Sequence, residues 1–107
     1  MKLLTAELRA QLPPLYSQEK NKDPTVHVKF FCPWSNWTWF ATEGSDEDGD
    51  FLFFGYVIGS EEEWGYFALS EMQEVRGPGV LTIERDLHFN RGPFSQVIEQ
   101  YRRQRGT

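Results

Sequence analysis

Between Glu43 and Glu63 the chain has no lysine or arginine, and over its full length it has one cysteine and no long apolar run. Each absence excludes something. The lone Cys32 cannot close an internal disulfide, and with no second cysteine or patterned histidine it does not make a zinc site. The longest apolar stretch, Phe51 to Ile58, is far short of the roughly 20 residues a membrane-crossing helix needs. Met1 to Glu7 contains no apolar signal region, so a cytoplasmic protein without a membrane partner is expected. Gly77-Pro78-Gly79 lacks the Lys and the Ser or Thr of a phosphate loop, which removes the usual route to nucleotide binding. No cofactor is expected.

What the chain does have is rings and acids. Four Trp, four Tyr and nine Phe make 16% of its 107 residues, and the formal charge is -5. One globular domain over residues 1–107 suits that length, and the aromatic content argues against disorder. Glu43, Asp46, Glu47, Asp48, Asp50, Glu61, Glu62 and Glu63 fall in the stretch without cations, whereas Arg85 to Arg105 carries five arginines against Asp86 and Glu99. Such a dipolar surface favours a basic protein partner over general affinity for nucleic acid.

Thr5 caps a first helix with Leu4, Leu8 and Leu12 as its buried stripe, and Pro13-Pro14 ends it. After an exposed loop, Val26, Val28 and Phe30 alternate with polar residues as in a half-buried strand, which places His27 on the exposed side. Trp37, Trp39 and Ala41 form a second strand after the turn Pro33-Trp34-Ser35-Asn36. Gly44 to Asp50 reads as a polar turn, and Phe51 to Ile58 is apolar at both parities, as for a central strand covered on both faces. Gly59 to Trp64 reads as an acidic turn and Gly65 to Leu69 as a fourth strand. Ser70-Glu71-Met72-Gln73 matches a capping box with Ser70 as the cap. Thr82 to Phe89 suggests an edge strand, and Phe94, Val97, Ile98 and Tyr101 share one helical face. The expected fold is α+β: an antiparallel sheet of four or five strands with two or three short flanking helices.

Several constellations are candidates for function. Trp37 and Trp39, two apart on one strand, belong to the core or to a stacking platform, while Trp34 in the turn is the more exposed ring, with Asn36 beside it. Asp46, Asp48 and Asp50 begin a calcium-loop pattern, but Phe51 stands where the loop requires Gly and Val57 where it requires Glu, so a solvated acidic turn is the better account and no metal site is expected. Glu84, Asp86 and His88 would share a strand face, the arrangement for acid-base chemistry. The competing account is structural, with Arg85 holding a carboxylate from the acidic turns in an ion pair. Cys32 reads as a packed small residue.

The strings Leu12-Pro13-Pro14-Leu15-Tyr16, Val28-Lys29-Phe30-Phe31, Ser35 to Glu43 with its Asn36-Trp37-Thr38-Trp39 core, Gly65-Tyr66-Phe67, Arg76-Gly77-Pro78 and Ile83-Glu84-Arg85-Asp86-Leu87 resemble the bacterial domain-of-unknown-function family DUF2958 over nearly the whole chain. The resemblance implies a single-domain protein of the kind often carried by plasmids and integrating elements, hence an accessory role in a mobile genetic element. It implies no activity.

Three functions compete. The first is a non-enzymatic interaction module whose acidic, aromatic surface (Trp34, the Gly44–Asp50 turn with Asp46, Asp48 and Asp50, and Glu61, Glu62 and Trp64) docks a basic partner protein or mimics nucleic-acid charge. The second is single-stranded nucleic-acid binding by Trp34, Asn36, Trp37 and Trp39 with Lys29 and the C-terminal arginines. The third is a small hydrolase or transferase built on Glu84, Asp86 and His88. Oligomeric state is left open by the sequence.

Overall fold

The computed structural model describes residues 1–105. Alternation of apolar side chains drives most of it. The second strand, β2 (Val28–Phe31), pairs antiparallel with β3 (Thr38–Glu47), which pairs with β4 (Asp50–Ile58), which pairs with β5 (Glu62–Ala68). A two-residue strand, β6 (Glu84–Arg85), closes the far side, giving a five-stranded sheet in the order β5-β4-β3-β2-β6. A second, two-stranded sheet joins β1 (Thr25–Val26) to β7 (Gly92–Pro93). Three helices flank them: α1 (Ala6–Gln11), α2 (Leu69–Glu74) and α3 (Phe94–Gln104).

Because successive strand side chains point to opposite faces, the main sheet feeds two cores. On one face Phe30, Phe51, Phe53 and Phe67 pack with Leu4 and Leu12, which bracket α1, and with Met72 of α2. Phe53 is wholly buried, stacked on Phe67 at 5.2 Å and edge-on to Phe51 at 5.0 Å and Phe30 at 5.4 Å. On the other face Val97 of α3 meets Val26, Phe40 and Ile58, with Phe94, Ile98 and Tyr101 partly buried around them. The strand expected to be central, β4, is second from one edge, with β3 in the middle, but it contributes side chains to both cores, as its double-parity apolar pattern suggests.

Local boundaries differ from the sequence expectation in several places. The extended stretch Val26–Phe30 is broken at His27, so that β1 leaves the main sheet to meet β7, a strand too short to show any period. Gly44 to Glu47 is strand, not turn: the turn is Asp48-Gly49 alone, with φ of 50° and 84°, the two left-handed residues of a tight hairpin that Asp-Gly supplies at little cost. Glu62, Glu63 and Trp64 likewise belong to β5. The strand expected over Thr82–Phe89 is reduced to Glu84–Arg85, since Asp86 Oδ1 accepts from His88 N and turns the chain. Ser70 does not cap α2: the helix begins at Leu69, where Glu71 accepts from the Ala68 N–H at 3.3 Å.

The hydroxyl of Ser70 is used elsewhere. Asp50, distant in sequence, accepts from both the N–H and the Oγ of Ser70, and Asp23 does the same for Ser95 in the first turn of α3. Two helices are thus capped by carboxylates from other segments, where orphan N–H groups and the helix dipole favour an anion. Bonding to the serine hydroxyl, then to backbone N–H groups, holds both carboxyls below the ordinary 3.8. With the folded pKa below the unfolded one, the contribution is complete above pH 3.8 and is lost as pH falls through the lowered values. The melting temperature is expected to fall on acidification below that point. In the double variant Asp23→Asn and Asp50→Asn the fall should be shallower, and an unchanged acid limb would remove these caps from the account.

Candidate functional site

At the boundary between β3 and β4 the register slips. Ala41 pairs with Gly55 and Glu43 with Phe54, leaving Thr42 as the extra residue of a bulge. The bulge turns the Glu43 carboxylate onto the α3 side of the sheet, where it is only 3% exposed. Its two oxygens accept from the backbone N–H groups of Tyr16 at 2.8 Å and Gln18 at 2.7 Å. Gln18 extends the latch. Its amide nitrogen donates to the carbonyls of Thr42 and Thr25, and its amide oxygen accepts from Thr25 N. One carboxylate thereby fastens the loop that follows α1 across the sheet. Tyr16 is held there at a φ of 74°, a left-handed conformation that costs a non-glycine residue about 1 kcal/mol or more and persists only when surrounding contacts impose it.

Between this loop and the sheet lies a groove of about 340 Å3. Its walls are Tyr16, Phe54, Trp64 and Tyr66, its floor is Thr42 and Glu43, and the 13–24 loop adds Gln18, Asn21, Pro24 and the exposed Glu19 and Lys22. The rings form a continuous chain: Tyr16 meets Tyr66 edge-on at 6.4 Å, Tyr66 meets Phe54 at 4.9 Å, and Phe54 stacks on Trp64 at 5.9 Å. Trp64 then reaches Phe94 of α3 at 4.7 Å. Tyr16, Trp64 and Tyr66 remain open to solvent. Hydrogen bonding with Tyr16, then burial and the negative charges of Glu43 and Glu19, push the Tyr66 phenol above its ordinary value. No Lys or Arg lies within ion-pair distance of Glu43 among the described residues. Glu43 is thus a buried carboxylate held by backbone N–H groups, with no ion-pair partner among the described residues, in an aromatic-walled groove.

Of the residues singled out from sequence, only Trp64 lines this groove. The acidic, aromatic surface is not one patch. Thr38 pairs with Ile58 at one end of the β3–β4 ladder and Glu47 with Asp50 at the other, so the tip bearing Asp46, Asp48 and Asp50 stands about 30 Å from the end that carries Trp34 and Glu61. Nor is it uniformly hydrated. Asp46 pairs with Arg9, Asp50 is taken by Ser70, and Glu62 accepts from the Tyr56 hydroxyl and Arg102, both at 2.8 Å. Those bonds, Tyr56 first, hold the Glu62 carboxyl below its ordinary value. Asp48, Glu61 and Glu63 remain exposed and unpaired among the described residues.

The tryptophan expectation is reversed in detail. Trp34 is half-buried against Gly77, while Trp37 is the more exposed ring, at 43%. Trp37 lies over Gly59 and 5.9 Å from Trp39, which packs on the first core. Asn36 is exposed and accepts from Arg105. Glu84, Asp86 and His88 are not brought together as a triad. Asp86 and His88 share a small recess of about 150 Å3 with Lys29, but Glu84 lies outside it, and Asp86 is paired with Lys29 at 3.4 Å. Arg85 forms no ion pair among the described residues, and its Nε is buried without a partner. The expected ion pair of Arg85 with a carboxylate of the acidic turns is not formed; Asp86 instead pairs with Lys29, which stands opposite it just past β6, where the Asp86 N–H donates to the Lys29 carbonyl. His27 is half-buried rather than exposed, and burial, then the charge of Arg91, lower its pKa.

Tyr16, Gln18, Glu43, Phe54 and Tyr66 were missed as site residues. Two signals were available: a lone carboxylate closing the apolar strand Trp37–Glu43, and the two-residue spacing of Phe54 with Tyr56 and of Trp64 with Tyr66.

No helix among the described residues is long and apolar enough to cross a membrane. Residues 3–106 match the family model described as "Protein of unknown function (DUF2958)", and the chain belongs to that family. No curated protein and no solved structure matches it.

Proposed function

We propose that this member of the DUF2958 family is a non-enzymatic interaction module that receives a cationic side chain from a basic partner protein in the groove between the 13–24 loop and β4–β5. The observation that carries the reading is Glu43: a buried carboxylate, bonded only to two backbone N–H groups, under four aromatic rings. Ring faces attract a desolvated cation by about 0.5–2 kcal/mol each, and the carboxylate beneath supplies the opposite charge. Glu61 and Glu63 add a negative approach from the neighbouring turn and strand, which speeds encounter with a basic surface. The family resemblance supports an accessory role in a mobile genetic element for such a module. The competing platform for single-stranded nucleic acid has less support, since Trp34 and Trp39 are largely engaged in packing.

Titration with a short arginine-rich peptide at low salt, followed by tryptophan fluorescence, tests the reading. Saturable binding is expected, with Tyr66→Ala and Trp64→Ala each weakening it about fivefold, the equivalent of roughly 1 kcal/mol. Glu61→Lys should slow association, whereas Asp46→Lys, on the opposite tip, should not. Equal binding by wild type and Tyr66→Ala, or tighter binding of a single-stranded oligonucleotide, would overturn it.

A further inference from the structure

The main sheet ends in two unlike edges. On one side β6 offers two residues. On the other, β5 runs for seven residues, Glu62–Ala68, with β4 as its one neighbour and a ladder to β4 that shows no bulge. Among the described residues, nothing bonds its outward-facing backbone groups from Glu62 to Phe67, and the first partner outside the β4 ladder is Glu71, at Ala68 N.

Long open edges template further strands, and proteins ordinarily blunt them with lysine, proline, bulges or a covering segment. β5 has none of the first three. Its residues Glu62 to Tyr66 are exposed apart from Gly65, which is half-buried, and a Cβ at Gly65 would meet nothing within 4 Å. The strand's own charge is of one sign, Glu62 and Glu63 preceded by Glu61; Arg102 of α3 pairs with Glu62, and Glu61 and Glu63 are left as unpaired acids among the described residues. Such an edge discourages pairing with a second copy of this acidic chain and favours a strand rich in cations.

We infer that the partner engages β5 by strand addition: an extended, basic segment pairs along Glu62–Phe67 as a sixth strand of the main sheet. This rests on the cation-binding reading of the groove and specifies how the partner is presented to it. Side chains of adjacent strands on one face stand about 4.5–5.5 Å apart at Cβ, and diagonal neighbours about 7–8 Å. Trp64 and Tyr66 point to the α3 side of β5, where they wall the groove. Every second side chain of an added strand therefore falls beside those two rings, where an arginine lies within cation–π reach, while the backbone ladder supplies sequence-independent affinity.

The test uses the full chain, isotopically labelled, and a synthetic octapeptide alternating arginine and threonine. Two further peptides carry backbone N-methyl groups on alternate residues, one in each register. On addition of the unmodified peptide, the outward amides of 62–67 are expected to gain hydrogen-exchange protection and to show cross-strand contacts. One methylated register should bind about tenfold more weakly or worse, having lost the donors that face β5, while the other keeps its affinity. If both methylated peptides bind like the parent and 62–67 stays unprotected, strand addition is overturned and the groove reading survives. If the parent peptide does not bind at all, both fall. If 62–67 is already protected in peptide-free protein that sediments as a dimer, a second copy occupies the edge and the inference is wrong.

Discussion

Glu43→Ala is expected to lower stability by about 2–4 kcal/mol, read as a melting temperature lower by roughly 10–25 °C. The substitution strips the acceptors from Tyr16 N and Gln18 N. Charge-assisted bonds to buried groups are worth about 1.5–3 kcal/mol each, although the freed loop regains part of this by hydration. The loss reaches further than two bonds. Gln18 ties the same loop to Thr25 and Thr42, and Tyr16 keeps its left-handed backbone because the latch holds it. The 13–24 loop should therefore exchange its amide hydrogens rapidly in the variant, and the arginine-rich peptide should lose its site altogether. Glu43→Gln retains one acceptor oxygen and should fall between the two. A Glu43→Ala protein with wild-type melting and a protected loop would show that the carboxylate neither fastens the loop nor organises the groove.

The second large effect is at Gly55. A Cβ there would stand 2.0 Å from the Phe40 carbonyl oxygen and 2.8 Å from Ala41 Cα. Both are backbone atoms of a central strand beside the bulge, so neither can yield as a flexible side chain would. Gly55→Ala is expected to cost more than about 3 kcal/mol, enough to leave a domain of ordinary stability largely unfolded near its former melting point. Gly65 provides the control. It pairs with Gly55 across the β4–β5 ladder, yet has open space around it. Gly65→Ala should be neutral or slightly stabilising, since glycine is a poor strand former. Chemical denaturation of the two variants checks the contrast, and a Gly55→Ala protein as stable as Gly65→Ala would contradict the backbone approach described.

The architecture could be read from the residues where side-chain period is strong. Val28 and Phe30, and Trp39 and Ala41, announce a hairpin because alternate burial leaves alternate polar residues. Phe51–Ile58 announces a strand with cover on both faces, and Val97, Ile98 and Tyr101 announce α3. The Asp48-Gly49 turn was equally visible, but the polar residues on either side of it, Gly44 to Glu47, masked a strand that continues to the tip. Ser70 fits a local capping pattern, but a carboxylate 20 residues away takes its hydroxyl instead.

The site was much less apparent. Tyr16, Glu43, Phe54 and Tyr66 come from a loop and three strands, and the one local sign that sets Glu43 apart from the other seven acids of its stretch is its place directly after the apolar run Trp37–Thr42. A single extra residue, Thr42, decides its orientation: the bulge places Glu43 opposite Phe54, on the face where the loop crosses. The acids expected to act together are separated by the length of β4, a distance that charge counting along a chain cannot register.

By itself the sequence determined the α+β class, the strand hairpins and the family, because period, turn chemistry and short motifs are local properties written in neighbouring residues. The tertiary structure alone decided which acid is buried, which tryptophan is free, which glycine has no room for a methyl group, and which sheet edge is left open. Those outcomes depend on what lies across the sheet or on the far side of a bulge, where residues distant in the chain compete for the same space and the same hydrogen bonds.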